Sequence, residues 1–249
     1  MRILAIETSA EPCSVALSDG ASVVQRSQSA GAGVAERALS MIAELLADQS
    51  ITLNQVDAFA FGCGPGSFTG LRVACALVQG LAFAGDRPVV PIGSLRALAY
   101  GARRQLLHEL QRDGAPRVMA AVDARMGQIY WAVYEGAQAD RSIVPPALAA
   151  PDEMAALVAQ WRPQLIAGDA LRVFANAWPT VDGTTRLPAV GVEASMIAEL
   201  ARTDLAAGRS VAARDAAPEY VRNQVALTTE QRARSKAERR ELGEEGRLS

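Results

Sequence analysis

The sequence of 249 residues is poor in the groups that many catalytic and metal sites need, with one histidine and three cysteines. A Ser-His-Asp hydrolase or a histidine metal site would have to use His108, which stands in an arginine- and glutamate-bearing stretch typical of an exposed helix. The cysteines Cys13, Cys63 and Cys75 lack the spacing of a disulfide framework or a metal site. We therefore expect reduced, structural thiols in a cytoplasmic protein.

A strong net charge and long hydrophobic runs are also lacking. The net charge of −2 gives no overall attraction to nucleic acid or to anionic membranes. No run approaches the roughly 20 apolar residues of a membrane span. The N-terminus enters a strand-like run directly, without the apolar core of a signal peptide.

Short apolar runs predict three strands near the N-terminus, over 2–7, 13–19 and 22–28, the last two joined by a hairpin turn at Asp19-Gly20. Strands and helices then alternate, which predicts a mixed sheet with helices packed on it. In the second half, two further strands flank Arg125-Met126-Gly127 as a hairpin.

We predict two lobes, over 1–104 and 105–227, followed by a tail over 228–249. The tail is almost wholly charged or small and cannot bury enough apolar surface to offset its ordering entropy, so we expect it to be disordered. An amphipathic helix predicted over 192–207 could pack back on the first lobe. Pro145-Pro146 is expected to break the chain.

The most distinctive motif is a glycine-rich loop, 62–70, between a buried strand and a helix. Free N–H groups and the dipole at a helix N-terminus favour an anion there. The loop is neither a Walker A loop nor a Rossmann fingerprint nor a hydrolase elbow. A structural turn and an anion or nucleotide contact both stay open. The candidate contacts, including the hydroxyl-rich turn after the first strand, are Thr8, Ser9, Gly66, Ser67 and Thr69.

Two predicted helices, 33–47 and 71–84, are too apolar to be covered by one sheet alone. A second helix layer, the other lobe or another chain could cover the rest, and we infer a hydrophobic docking surface for a partner. The alternative is that the helices cover each other and the second half. The candidate interface residues are Val34, Ala38, Met41, Ile42, Leu45, Leu71, Ala74, Cys75, Leu77, Val78 and Leu81.

Four segments carry a resemblance to a known family: MRILAIETSAEPCSVAL at the start, FGCGPGSFTGLRVACALVQGLA from residue 61, VDARMGQIYWAVY from 122 and APEYVRN from 217. Up to about residue 224 the chain resembles TsaB (YeaZ). This family is the non-catalytic subunit of the bacterial machinery that makes threonylcarbamoyladenosine (t6A) next to the anticodon of tRNAs reading ANN codons. The resemblance implies an α/β, actin-like (ASKHA, ribonuclease H-like) fold, with two lobes of mixed β-sheet flanked by helices.

The resemblance also implies partners. It implies docking on a catalytic TsaD-type subunit through helices 33–47 and 71–84, the same two helices that the apolar pattern indicates. It also implies a TsaE-type ATPase as a further partner. Without TsaD, the exposed surface would form homodimers. No intrinsic cofactor is implied: ATP or ADP would sit at the partner interface. Contact with tRNA would be indirect or weak, and no membrane is involved.

Two departures from the family pattern bear on catalysis. Val34 stands where many members carry a histidine, which argues against a catalytic metal. The first strand ends in Glu7-Thr8 rather than Asp-Thr, and the corresponding acid of actin-like ATPases helps to hold the metal of Mg-ATP. We therefore expect a scaffold subunit with neither catalytic residues nor a metal. An actin-like ATPase or small-molecule kinase is the alternative, and the single histidine disfavours a peptidase.

Overall fold

The structure, a computed structural model, describes residues 1–29, 33–110 and 116–222, without the side chains of 107–110. The predictions made for the His108 side chain and for the 228–249 tail lie outside the described residues. Within them, the chain forms two five-stranded mixed sheets with helices on their faces.

The first sheet has the strand order β3-β2-β1-β4-β5. Its strands are β1 (Ile3–Glu7), β2 (Cys13–Ser18), β3 (Val23–Gln28), β4 (Ala58–Gly64) and β5 (Val89–Gly93). β1 pairs antiparallel with β2 and parallel with β4, and it is buried along its whole length. The predicted N-terminal meander is therefore confirmed, and its first strand is the centre of the sheet.

Alternation along β1 and β4 gives the first sheet two apolar faces, since successive side chains of a strand point to opposite sides. Leu4, Ile6 and Phe61 pack in one core cluster. Ile3 and Ala5 pack in another. The first face carries α1 (Val34–Asp48) and α2 (Phe68–Phe83), whereas the second carries α3 (Ser94–Leu110) and a helix from the second half of the chain.

The second sheet has the order β10-β9-β6-β7-β8. Its strands are β6 (Val118–Asp123), β7 (Ile129–Glu135), β8 (Arg141–Ala149), β9 (Leu165–Ala167) and β10 (Thr185–Leu187). Two helices, α4 (Met154–Trp161) and α5 (Ala170–Val173), accompany it, and α3 contacts strands of both sheets. The result is an α/β fold with two lobes of mixed sheet flanked by helices, as the resemblance implied.

The prediction that Pro145-Pro146 breaks the chain is wrong. Both prolines lie within β8, which continues to Ala149. β8 is an edge strand of its sheet, and an edge strand tolerates proline because the missing N–H need not face a partner strand.

The helix from the second half is α6 (Ala194–Ala206), which packs on β1, β2, β4 and β5 of the first sheet. Arg96 of α3 holds it through a bidentate pair with Asp204, at 2.6 and 3.0 Å. Arg209 donates to the same carboxylate at 2.6 Å. Burial alone would raise the pKa of Asp204, but the hydrogen bonds from both arginines hold it below its usual value.

We expect Asp204→Asn to lower the free energy of unfolding by roughly 3 kcal/mol, because it leaves the largely buried Arg96 guanidinium without its counter-charge. Urea denaturation at pH 7 measures the loss. Asp215→Asn is the matched control: its side chain is 60% exposed and 3.7 Å from Arg214, so it should cost less than about 1 kcal/mol. Equal losses in the two variants would contradict the assigned role of the pair.

Candidate functional site

The glycine-rich loop lies where the first sheet faces the second lobe. Because β1 and β4 are parallel neighbours, the turn after β1 and the loop after β4 leave the same edge of the sheet. Together they line a cavity of about 530 Å³. The β6–β7 turn and residues 188–192 line the same cavity from the second half of the chain.

The glycines of the loop make room for the turn after β1. At three of them an added Cβ would collide with that turn: Gly62 with Glu7 Oε2 (1.9 Å), Gly66 with Ser9 Oγ (2.5 Å) and Gly70 with the Thr8 carbonyl (2.1 Å). Real Cβ atoms essentially never come so close. The spacing of these glycines thus follows from the close approach of two segments of the same chain.

Three of the candidate anion contacts use their polar groups within the chain. Thr8 Oγ1 donates to the Gly70 carbonyl at 2.7 Å, and Ser9 Oγ donates to Glu7 Oε1 at 2.7 Å. Ser67 caps α2 by accepting from the Gly70 N–H at 3.4 Å, while its own N–H donates to the Ser9 carbonyl at 3.1 Å. This geometry favours the structural turn, and anion contact through these residues stays a prediction.

Glu7 is fully buried at the end of β1. Its Oε1 accepts hydrogen bonds from Ser9 and from the Ala10 N–H, whereas Oε2 has no partner. Burial raises the pKa of Glu7 to about 7, against hydrogen bonds from Ser9 and Ala10 that lower it. The carboxyl packs behind Gly62 and is not among the groups that line the cavity.

Ser94 is a polar group of the cavity that the sequence did not single out. It begins α3, its side chain is buried, and its Oγ has no hydrogen-bond partner. A hydroxyl in this position can donate to, or accept from, a molecule that enters the cavity.

A segment that periodicity did not reveal, residues 211–222, crosses both lobes, and we call it the C-terminal strap. It begins beside β5, where Val211 and Val89 exchange backbone hydrogen bonds of 2.8 and 2.9 Å. The Glu219 N–H then donates to the Cys63 carbonyl at 2.7 Å. The strap reaches the β6–β7 turn at Arg222, which donates to Gln128 Oε1 at 2.6 Å. The only sequence signal for it is the APEYVRN segment of the resemblance.

The strap covers one side of α2. Cys75 Sγ and Gln79 Nε2 donate to the Ala216 carbonyl at 3.3 and 2.9 Å. Burial raises the pKa of the Cys75 thiol, and burial with the nearby Glu219 carboxylate raises that of Cys63 to about 12. Both thiols are therefore protonated and unreactive at neutral pH.

The structure corrects the choice of candidate interface residues on the two helices. Eight of them lie in the chain's own interior, where they cannot touch another protein in this conformation: Ala38, Met41, Ile42, Leu45, Leu71, Ala74, Cys75 and Val78. Val34, Leu77 and Leu81 are half-buried. The sheet, the neighbouring helix and the strap cover most of the apolar surface for which the sequence predicts a partner.

The outward side of the two helices forms a different, smaller surface. We call it the α1–α2 face, and its residues are Leu39, Ala43, Val73, Ala76, Leu77, Gly80 and Phe83. Phe83 is 78% exposed and Leu39 is 44% exposed. An added Cβ at Gly80 would meet nothing within 4 Å. Small residues on α2 therefore leave a shallow apolar surface between larger side chains.

Among the described residues, no group of three or more His, Cys, Asp or Glu side chains could hold a metal ion. Within the same part of the chain, no helix is long and apolar enough to cross a membrane.

Comparison with known proteins identifies the family. A family model described as TsaD, tRNA N6-adenosine threonylcarbamoyltransferase, matches residues 28–241. The tRNA threonylcarbamoyladenosine biosynthesis protein TsaB of Escherichia coli K12 is 35% identical over 245 residues, which cover 91% of this chain and 96% of that protein. TsaB of Haemophilus influenzae is 35% identical over 239 residues, covering 90% and 95%.

The chain belongs to the TsaB (YeaZ) family. A solved structure, YeaZ from Pseudomonas aeruginosa, has 35% sequence identity and a TM-score of 0.74, and it covers 88% of this chain and 99% of its own. These findings confirm the resemblance drawn from the four segments and the fold that it implied.

Val34 and Glu7, the two departures noted in the sequence, pack within the first lobe. Val34 begins α1 and packs half-buried against the core under that helix. Glu7 fills the space behind Gly62. Neither position directs a metal-binding group into the cavity.

We expect Glu7→Gln to raise the free energy of unfolding at alkaline pH and to make it nearly independent of pH between about pH 5 and 8. The folded pKa lies above the unfolded value, so the folded state holds a proton that the unfolded state has lost, and wild-type stability falls as the pH rises. The variant should gain up to roughly 3 kcal/mol at pH 8.

Chemical denaturation across this pH range measures the effect. The exposed carboxyl in Glu36→Gln serves as the control, and parallel pH profiles for wild type and Glu7→Gln would contradict the shifted pKa.

Proposed function

We propose that this chain is a non-catalytic subunit of cytoplasmic t6A biosynthesis, which docks on a TsaD-type catalytic subunit through the α1–α2 face. The observation that carries the proposal is this apolar face on a chain whose relatives are named as t6A biosynthesis proteins. The product of the complex would be threonylcarbamoylated adenosine next to the anticodon of tRNAs reading ANN codons.

Gly80 supports docking on this face. Glycine inside a helix costs about 1 kcal/mol relative to alanine, and open space surrounds the position where its Cβ would stand. No contact within the described chain therefore requires glycine here. Close approach of a partner's helix would require it, because a side chain at this position would hold the two backbones apart.

The internal use of two hydroxyl groups supports the non-catalytic role. Thr8 and Ser9 would have to release their present acceptors to donate to a phosphate. We propose that the chain has no intrinsic cofactor and that ATP or ADP binds at the partner interface. A TsaE-type ATPase joins the same complex. Without its partner, the chain pairs with a second copy through the same face.

We expect Gly80→Leu to abolish docking without destabilising the chain. Leucine is the better helix former, so the free energy of unfolding should rise by about 0.5–1 kcal/mol, while the new side chain blocks the face. Co-purification of the tagged variant with the cognate TsaD-type subunit measures docking, and sedimentation of the variant alone measures homodimers.

Ala156→Leu on α4 is the matched control, since it adds the same side chain to an exposed helix position of the other lobe. It should leave docking intact. Leu77→Glu tests the α1–α2 face a second time, whereas Val78 is fully buried and its replacement would report on folding alone. Normal recovery of the TsaD-type subunit with both Gly80→Leu and Leu77→Glu would disprove the proposed face.

A second candidate function is an actin-like ATPase or small-molecule kinase, favoured by the cavity of about 530 Å³ and the unpartnered Ser94 hydroxyl. We rank it second because Glu7 lies behind Gly62 and cannot reach a nucleotide metal there. Calorimetry with Mg-ATP on the isolated chain decides between the two. We expect no binding heat at micromolar nucleotide, and tight, magnesium-dependent binding would favour the enzyme.

A further inference from the structure

Exposed apolar and cationic side chains gather at the mouth of the cavity. Phe68 and Tyr220 are 36% and 40% exposed, and Met126 is 68% exposed. Arg125 and Arg222 line the same opening. We call these five residues, together with Arg72, which packs on Phe68, the cleft rim.

The β6–β7 turn holds two rim residues in a strained backbone conformation. Arg125 has a φ of 61° and Met126 a φ of 54°, the left-handed region that asparagine and glycine occupy at lower cost. Little packing repays the strain, since the Arg125 side chain is 87% exposed and Met126 is 68% exposed, with one contact from Arg222, which donates to Met126 Sδ at 3.4 Å. Asparagine and glycine would serve the turn at lower cost, and the exposed parts of Arg125 and Met126 are available to another molecule.

A tilted pair of aromatic rings with an arginine over one of them, which we call the stack, forms the other part of the rim. The rings of Phe68 and Tyr220 have centroids 5.6 Å apart at 38°. The Arg72 guanidinium lies 3.9 Å over the Phe68 ring, and its Nε donates to the Tyr220 hydroxyl at 3.0 Å. Partly exposed aromatic rings and arginine planes are the groups on which unpaired RNA bases stack.

The two arginines at the opening are positioned by contacts within the chain: Arg222 is half-buried and donates to Gln128, and Arg125 pairs with Asp123. Asp123 Oδ1 accepts from the Arg125 N–H at 2.8 Å, and its Oδ2 lies 3.1 Å from the Arg125 guanidinium. Asp169 accepts from the Asp123 N–H at 2.9 Å. Both aspartates thus hold the turn in shape. Glu11 and Glu219 also line the cavity and would keep phosphates at the arginine side of the opening.

We propose that the cleft rim binds an unpaired nucleotide of the tRNA anticodon loop, with its base against Phe68 and Tyr220 and its phosphate beside Arg125 and Arg222. This inference rests on the proposed function, which makes tRNA the substrate of the complex. The rim is continuous with the α1–α2 face, because Phe68 and Arg72 lie at the start of α2, whose outward side forms part of that face. RNA bound to the partner subunit can therefore extend onto it.

A loop nucleotide fits the rim better than free ATP does. Free ATP needs a cradle for its triphosphate, and the Thr8 and Ser9 hydroxyls beside the glycine-rich loop already donate hydrogen bonds within the chain. The rim offers a stacking surface and scattered cations, the combination by which proteins bind single strands.

The test replaces Arg125-Met126 by Asn-Gly in the purified complex of this chain with its TsaD-type subunit. Asparagine and glycine suit the left-handed turn, so the melting temperature of the isolated variant should rise. Affinity for a labelled anticodon stem–loop RNA should nevertheless fall by about fivefold or more, as one cation is lost. Fluorescence anisotropy at fixed salt measures the affinity. A raised melting temperature with weakened RNA binding excludes misfolding as the cause.

Tyr220→Leu tests the stack separately and should weaken the stem–loop at least about threefold. Arg141→Asn removes one exposed arginine from β8, on the far edge of the second sheet, and should leave affinity within about twofold. Unchanged RNA affinity in both rim variants would overturn the proposal. So would an equal loss for fully paired duplex RNA, or tight Mg-ATP binding that the Asn-Gly variant abolishes.

Failure of the rim and failure of the proposed function give different results. If the wild-type chain does not co-purify with the TsaD-type subunit, the proposed function fails before RNA is added. If the complex forms and binds the stem–loop with the same affinity whatever stands at residues 125, 126 and 220, only the rim proposal fails.

Discussion

The close contact between the turn after β1 and the loop after β4 governs the arrangement of this molecule. Parallel pairing of the two strands, with Ile3 opposite Ala58 and Ile6 opposite Phe61, brings their carboxyl ends together at one edge. The loop can lie against the turn only because glycines stand where a Cβ would collide with it. The start of α2, the position of the Glu7 carboxyl and the near wall of the cavity all depend on this contact.

That contact also explains how a motif that suggests phosphate binding fits the proposed scaffold role. Two hydrogen bonds cross between the segments, from Thr8 Oγ1 to the Gly70 carbonyl and from the Ser67 N–H to the Ser9 carbonyl, while Ser9 Oγ donates to Glu7 within the turn. The two crossing bonds fix the start of α2, and α2 presents its outward side beside α1. In this interpretation the loop serves protein association, and the opening of the cavity is left to a larger ligand that stays at the mouth.

The two lobes are joined by elements that cross between them. α6 from the second half packs on the first sheet, and the pairing of Arg96 with Asp204 fixes it to α3. The strap runs the other way, from β5 past α2 to Gln128. Because the strap touches both α2 and the β6–β7 turn, it connects the α1–α2 face to the cleft rim by a short path of direct contacts.

Sequence patterns alone predict the α/β class, the N-terminal meander, the helices near 33–47, 71–84 and 192–207 and, through four segments, the family. Periodicity and turn residues carry that information locally. Only the tertiary structure decided which apolar side chains remain outside. Ala74, Cys75 and Val78 are as apolar as Val73, Ala76 and Leu77, yet the sheet, α1 and the strap bury the first set and leave the second at the surface. A pattern of apolar residues shows that a helix must be buried on several sides. Which part of the chain buries each side depends on distant segments such as the strap, which is more than 130 residues away from the α2 residues that it contacts.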